Sequence, residues 1–265
     1  MNSSALAPFR RSVWAHYKTH GRHDLPWRKT KDPYRIMVSE VMLQQTQVSR
    51  VLEKYKEFLK RFPTPHALAQ APLADVLKTW SGLGYNRRGK YLHEAAKKIV
   101  KEFGGNLNDA IASNKLPGVG PYTRAAIKAF AFNELGIFIE TNIRTAFIHH
   151  FFPKRTSVSD RELIPLVERV AAKQDPRTWN WALMDYGSHL KKNGVRNNVQ
   201  SAHYTRQSKF KGSLREVRGA IVRELHKGKP GLYLLPFDRT RIERSLASLT
   251  RDGLIVKEKG MWRIA

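Results

Sequence analysis

One string constrains this chain more than any other: Leu116-Pro117-Gly118-Val119-Gly120-Pro121-Tyr122-Thr123, set between two stretches of helical periodicity. Gly118 and Gly120 permit positive φ, and Pro121 suits the first turn of a helix. The string predicts a helix, a tight two-glycine hairpin and a second helix. Backbone N–H groups would face outward there, beside a helix N-terminus able to hold an anion. An ordinary glycine-rich turn is the alternative.

The surrounding sequence also reads as helix. Apolar residues recur at helical spacing from Tyr34 to Phe62, through Ile36, Val41, Val48, Val51, Leu52, Tyr55 and Leu59. Short helices are expected around Leu68, Leu73 and Val76, between prolines. Lys90 to Phe103 is amphipathic and stops at Gly104-Gly105, and Pro121 to Phe132 is a small-residue helix. Further helices are expected at Asn142–Phe151, Asp160–Gln174 and Trp179–Lys191. No strand–helix alternation or internal repeat appears.

Charge narrows the partners. The 265 residues hold 48 Lys and Arg against 22 Asp and Glu, a formal net charge of +26. A long polyanion is the expected partner, because each neutralised phosphate releases condensed counterions; a basic but inert surface is the alternative. With that charge, the glycine hairpin takes the form of a helix-hairpin-helix, a sequence-independent clamp on the DNA backbone through Gly118, Val119, Gly120 and Tyr122. There is no cysteine, which excludes disulfides, thiol catalysis and thiolate-held zinc or iron–sulfur centres. No apolar run approaches the ~18–20 residues of a membrane span. Met1 to Gly21 lacks the apolar core of a signal peptide. A cytoplasmic, nucleoid-associated monomer is the expectation.

The character changes after Lys192. Lys191 to Lys229 contains eleven Lys or Arg and two acids, Glu216 and Glu224. Leu214, Val217, Ile221 and Leu225 form a helical stripe. A second helix carries Ile242, Leu246 and Leu249 behind a Thr240-x-x-Glu243 capping pattern. Leu254 to Ile264 then reads as a hairpin turning at Glu258-Lys259-Gly260. Helix, helix, hairpin resembles a winged helix; a helical tail with a capping hairpin is the alternative.

Several strings together resemble a known family. The hairpin is followed by Ile139-Glu140-Thr141-Asn142-Ile143-Arg144. Upstream stand Leu25-Pro26-Trp27-Arg28, Asp32-Pro33-Tyr34, Ser39-Glu40-Val41-Met42-Leu43-Gln44-Gln45-Thr46-Gln47 and Trp80-Ser81-Gly82-Leu83-Gly84-Tyr85. Downstream lie Trp179-Asn180 and Met184-Asp185-Tyr186-Gly187. Over about residues 8–190 the chain resembles the helix-hairpin-helix DNA glycosylases related to endonuclease III, and within them the adenine-DNA glycosylases, which remove adenine mispaired with 8-oxoguanine or guanine. The resemblance implies an all-α, two-lobed helix-hairpin-helix glycosylase fold with a small C-terminal winged-helix-like module. It would comprise a lobe from 1–29 and 136–192, a helical barrel at 30–135, a basic loop at 193–212 and the module at 213–265. The partner would be double-stranded DNA, its target base flipped into a cleft.

Cleaving an N-glycosidic bond builds positive charge on the sugar and negative charge on the departing base, so the site wants an acid and a carboxylate. By resemblance, Glu40 is the acid that protonates adenine N7, in an apolar setting that would raise its pKa. A surface glutamate on an amphipathic helix is the alternative. Glu140 stands where the family has an aspartate that stabilises the oxocarbenium ion. The extra methylene leaves three readings open: a re-shaped pocket, reduced activity, or a lost one. Tyr122 takes the place of the lysine of bifunctional relatives. A phenol forms no Schiff base, so no β-lyase activity is expected. Asn142 would hold Glu140 or water, or cap the next helix. Gln45 and Tyr85 match wedge residues, with a core aromatic as the alternative for Tyr85. Trp27, Arg28, Leu43 and Asp185 match positions near the base pocket, Asp185 equally fitting a buried helix-pairing acid. Four cysteines that usually hold a [4Fe–4S] cluster in the family fall on Lys191, Asn198, Ser201 and Gln207, so neither cluster nor other cofactor or metal is expected. Lys191, Lys192, Arg196 and Arg206 of that loop would meet phosphates instead, with Tyr204 and Phe210 packing it. Removal of thymine or uracil opposite guanine, and non-catalytic mismatch binding, are the competing functions.

Overall fold

The computed structural model describes residues 5–206, 209–228 and 231–265; Gln207 and Lys229 lie outside them. Among the described residues the chain forms thirteen α-helices and one two-stranded hairpin. It divides into two compact units, Met1–Ile36 with Pro121–Arg206, and Met37–Gly120 with Gln207–Ala265.

The first unit contains α1 (Leu6–His20), α8 (Pro121–Ile127), α9 (Thr141–Phe151), α10 (Asp160–Ala171) and α11 (Pro176–Lys192). α11 packs on α9 and α1. Their core is aromatic: Phe9 meets Phe147 at 5.1 Å and Trp14 meets Trp179 at 5.5 Å. Gly187 of α11 brings these helices close, since a Cβ there would sit 1.9 Å from the Asn142 carbonyl oxygen. Ser159 and Glu162 form a capping box at the start of α10. The small-residue helix expected over Pro121–Phe132 ends instead in a π-helical turn, Lys128–Phe132, whose carbonyls at Phe130 and Ala131 receive the Arg177 guanidinium.

The second unit holds α2 (Pro33–Leu43) from Met37 onward, α3 (Val48–Arg61), α4 (Pro65–Gln70), α5 (Leu73–Trp80), α6 (Arg87–Phe103) and α7 (Leu107–Ala112). It also holds α12 (Leu214–His226), α13 (Arg239–Arg251), β1 (Ile255–Glu258) and β2 (Met261–Ile264). The periodicity over Tyr34–Phe62 spans α2 and α3, broken at Gln44–Gln47 where Gln45 turns left-handed, φ 54°. Gly104 ends α6 in the left-handed conformation, φ 59°.

The C-terminal segment is built into this unit. Val217, Ile221, Ile242, Leu246, Leu249, Leu254 and Ile255 share one core with Leu77 of α5, against which Leu73 and Ala74 also pack. The His226 ring bridges the carbonyls of Val222 and Ala74, at 2.8 and 2.9 Å. Residues 213–265 thus join the helices after Met37, where the sequence pattern alone sets them apart. β1 and β2 pair antiparallel through a two-residue turn, Lys259-Gly260, with φ of 48° and 79°. Two sequence expectations change here. Asp238 caps α13, accepting from the Arg241 N–H at 2.8 Å, and Thr240 lies inside the helix. Leu214 is exposed, so the buried stripe of α12 begins at Val217.

Candidate active site and nucleic-acid interface

Glu40 sits in α2 among Ser39, Val41 and Met42, and only 4% of it is exposed. The surface-glutamate alternative therefore fails: this carboxyl is part of the interior. Leu43 follows on the same helix, half-buried. Arg88, which the sequence motifs do not include, organises this end of the unit. Its Nη1 donates to the carbonyls of Val41, Met42 and Gln44 at 2.9, 2.9 and 2.6 Å. Its Nη2 donates to Thr46 Oγ1 and the carbonyls of Leu83 and Gly84 at 2.9, 3.1 and 3.1 Å. One guanidinium thus caps the C-terminus of the Glu40 helix and ties it to the Gly82–Tyr85 loop. Burial lowers Arg88 to about 10, with Tyr85 pulling it upward. A signal is present in the sequence: two arginines open α6, where the helix dipole disfavours cations.

Gln45 and Tyr85 occupy the apices of the two loops that Arg88 joins. Both are exposed and both have positive φ, 54° and 48°. The core-aromatic alternative for Tyr85 does not hold, since the residue is 36% exposed. At the glycine hairpin, only Gly118 uses positive φ, at 72°. A Cβ there would meet Tyr91 Cβ at 2.8 Å, whereas one at Gly120 would meet nothing. Gly120 thus leaves the backbone bare for an approaching ligand, and Val119 is buried beneath it.

In the first unit, Glu140 is the N-cap of α9. Its Oε1 accepts from the backbone N–H groups of Asn142 and Ile143 at 2.7 and 2.8 Å, and its Oε2 from Asn142 Nδ2 at 3.0 Å. Asn142 therefore holds Glu140 through its amide and does not itself cap the helix. Burial raises the Glu140 carboxyl above 4.5, against the two backbone donors and the charges of Lys191 and Arg144. Tyr122 opens α8, its ring edge-on to Phe138 at 5.3 Å.

Asp185 lies buried on α11, gripped by two arginines. Arg28 makes a bidentate pair at 2.7 and 2.9 Å, and Arg22 donates from Nε and its backbone N–H at 2.6 and 2.8 Å. Burial pushes this carboxyl up, but the arginines override it and hold it below 3.8. Arg28 is 4% exposed on its side chain and lies 5.4 Å from the Trp181 ring centroid; the neighbouring Trp27 is buried. The geometry at Asp185 is that of a buried helix-pairing acid, which fixes the Pro26–Arg28 turn against α11.

The fold, the buried Glu40 and the glycine hairpin converge with what comparison finds. Residues 38–169 match the family model described as HhH-GPD superfamily base excision DNA repair protein. The chain belongs to this superfamily. The match takes in Glu40, Tyr122, Glu140 and Asn142 and stops short of Asp185. An adenine DNA glycosylase of Buchnera aphidicola is 36% identical over 177 residues, 66% of this chain and 50% of that protein. One from Mycobacterium tuberculosis is 46% identical over 123 residues, 46% of this chain and 40% of that protein. The chain thus spans half or less of the length of these relatives. The solved structure of a thermostable thymine-DNA glycosylase aligns with TM-score 0.61 at 24% identity, covering 76% of this chain and 97% of that one. At that identity the likeness is one of fold.

Within this HhH-GPD chain the loop after α11 is held by polar contacts. Asn198 Oδ1 accepts from Thr145 Oγ1 at 3.1 Å, and Asn197 Nδ2 donates to the Thr145 carbonyl at 3.0 Å. The N–H of Val158 donates to the Gln200 carbonyl and that of Ala202 to the Val158 carbonyl, a parallel bridge beside Ser201. An ammonium, an amide and a hydroxyl at Lys191, Asn198 and Ser201 do not fit an iron–sulfur cluster, whose iron takes thiolates. Tyr204 and Phe210, expected to pack this loop, are exposed. Lys192 and Arg196 are exposed as well, whereas Lys191 is partly buried, its amine lowered by burial and raised by Glu140. Lys191 and Glu140 each favour the other's charged form, against the burial of both. No helix among the described residues is long and apolar enough to cross a membrane.

Proposed function

We propose that this chain is a monofunctional DNA glycosylase of base excision repair, acting as a monomer on double-stranded DNA in the nucleoid. It hydrolyses the N-glycosidic bond of a flipped adenine opposite 8-oxoguanine or guanine. The observation that carries the reading is the burial of Glu40 inside α2. An interior carboxyl shielded from bulk water suits a general acid at adenine N7, and N7 protonation helps only a purine leave. The names of the two relatives agree with that choice of base.

Glu140 supplies the counter-charge to the oxocarbenium-like sugar, held in place by Asn142 and the first turn of α9. Tyr122 supports hydrolysis without strand cleavage, since a phenol forms no Schiff base. The reaction runs without an iron–sulfur cluster, the loop after α11 being pinned by Thr145 and Val158 in its place. A second reading, mismatch binding without catalysis, draws on the same Glu140: both its oxygens are engaged in holding the start of α9.

One assay separates the readings. Duplexes containing A·8-oxoguanine, A·G, T·G and U·G are incubated with the protein, and abasic sites are then cleaved by alkali. Product from the two adenine duplexes is expected, with none before alkali. Product from T·G or U·G alone overturns the choice of adenine. Tight binding with no product from any duplex establishes the second reading.

A further inference from the structure

A groove of about 730 Å³ lies beside Tyr85, wholly within the second unit. One wall comes from Gln45, Arg50 and the loop leading into α6, including Arg87. The other comes from α12 and the end of α13, with Arg215, Arg218, Arg223 and Arg251. Among the described residues that line it the single carboxylate, Asp252, is already engaged by Arg218 at 2.6 Å and Arg87 at 3.4 Å. Arg50, Arg223 and Arg251 are exposed. The groove is therefore strongly positive, and its charge comes from both walls.

Tyr85 stands at its edge under direct control of α12. Arg215 Nη1 donates to Tyr85 Oη at 2.7 Å, and its guanidinium lies 5.4 Å from the ring centroid. Arg88 lies 5.5 Å from the same ring. Guanidinium forks favour phosphate oxygens, and an exposed aromatic beside them offers a stacking face to a base. The volume exceeds what one small anion fills, so the arrangement suits a chain of phosphates.

We propose that this groove is a phosphate channel for one DNA strand, that the C-terminal helix–helix–hairpin segment supplies one of its walls, and that Arg215 sets the Tyr85 ring beside it. The proposal rests on the reading that the protein acts on duplex DNA. It gives residues 209–265 a function of their own: they bring four arginines to the loop that carries Tyr85.

The test uses the full chain and a fluorescent duplex with a central A·G mismatch, its Kd measured across a KCl series. In the variant Arg50→Gln/Arg223→Gln/Arg251→Gln, affinity at low salt should fall at least about tenfold, and the slope of log K against log salt should shrink by about 2–3 (roughly 0.9 for each phosphate no longer neutralised). Thermal melting confirms that the variant is folded. Removal of the same charge at Lys56 and Lys60 of α3 and Lys101 of α6, exposed residues that do not line the groove, should leave the slope within about one of wild type. An unchanged slope in the arginine variant, or an equal loss in the lysine variant, overturns the channel. Arg215→Ala should reduce preference for mismatched over matched duplex several-fold while Arg215→Lys retains part of it; an unchanged preference removes Arg215 from the proposal. Every readout is an affinity. A protein that releases no base therefore overturns the enzymatic reading and leaves the channel standing.

Discussion

Gln45 and Tyr85, far apart in sequence, are both non-glycine residues held at positive φ, 54° and 48°, on two loops that one guanidinium joins. Left-handed backbone at such residues costs roughly 1–3 kcal/mol each and persists only where the surroundings over-determine it. Arg88 provides that determination, with donors to Gln44, Thr46, Leu83 and Gly84.

Arg88→Lys is therefore expected to be far from conservative. A lysine keeps the charge but has three donors in place of a planar fork that reaches six acceptors. Destabilisation of about 3 kcal/mol or more is expected, because hydrogen bonds to a charged group contribute about 1.5–3 kcal/mol each and several are lost. Urea denaturation checks it. Loss below about 1 kcal/mol would show that the loops hold themselves. Discrimination between mismatched and matched duplex should fall as well, since both loop apices lose their common anchor.

Asp185→Asn tests the second buried cation site. The substitution keeps the shape but leaves Arg28, 4% exposed on its side chain, facing a neutral amide. Removing one partner of a buried pair costs about 3–5 kcal/mol. The pH dependence has a definite sign. Asp185 is held below 3.8 in the folded protein, so its stabilisation is complete at neutral pH and disappears as pH falls through that lowered value. Wild type and variant stabilities, measured by denaturant titration, should converge only at strongly acid pH.

How much of this is legible in sequence depends on the distance over which each residue acts. The Gly118 hairpin, the Gly104 helix stop and the Lys259-Gly260 turn follow from local backbone chemistry, and the string around Glu40 marks a buried helix. Arg88 cannot be read that way, because its six acceptors come from stretches brought together only by tertiary packing. The same holds for α5 in the C-terminal core: the helix packs on its sequence neighbours α3 and α6, and nothing local marks Leu77 as also facing the C-terminal segment. The break after Leu43 is hidden because α2 and α3 keep one hydrophobic rhythm across it. Asp238 displaces Thr240 as the cap of α13 because both patterns fit the sequence and only backbone geometry chooses between them.

Glu140 and Lys191 make a pH prediction. Burial raises the Glu140 carboxyl above 4.5 while Lys191 pulls it down. If Glu140 acts as the ionised carboxylate, the acid limb of the single-turnover rate lies above 4.5. Lys191→Met removes the opposing charge and should move that limb to higher pH, leaving the rate well above the limb nearly unchanged. An unshifted limb in a folded variant would assign the acid limb to another group. Stability follows the opposite course to that of Asp185. A raised carboxyl favours the folded state at low pH, and that contribution is lost as pH rises through its folded value.

Gly187→Ala tests whether the approach of α11 to α9 positions the Glu140 carboxylate. The added Cβ would fall 1.9 Å from the Asn142 carbonyl oxygen and 2.5 Å from its carbon, both backbone atoms that no side-chain rotation can move aside. The helices must separate, at a cost of about 1–3 kcal/mol for overpacking. Asn142 carries two of the three donors to Glu140, so the same displacement moves the carboxylate. An error near 1 Å in a reacting group costs roughly 10²-fold in rate. A folded Gly187→Ala protein should therefore bind mismatched duplex nearly as wild type does and release base about a hundredfold more slowly. Matched losses of affinity and rate would instead mean that the helix contact supports DNA binding, and an unchanged rate would show that Glu140 keeps its place without it.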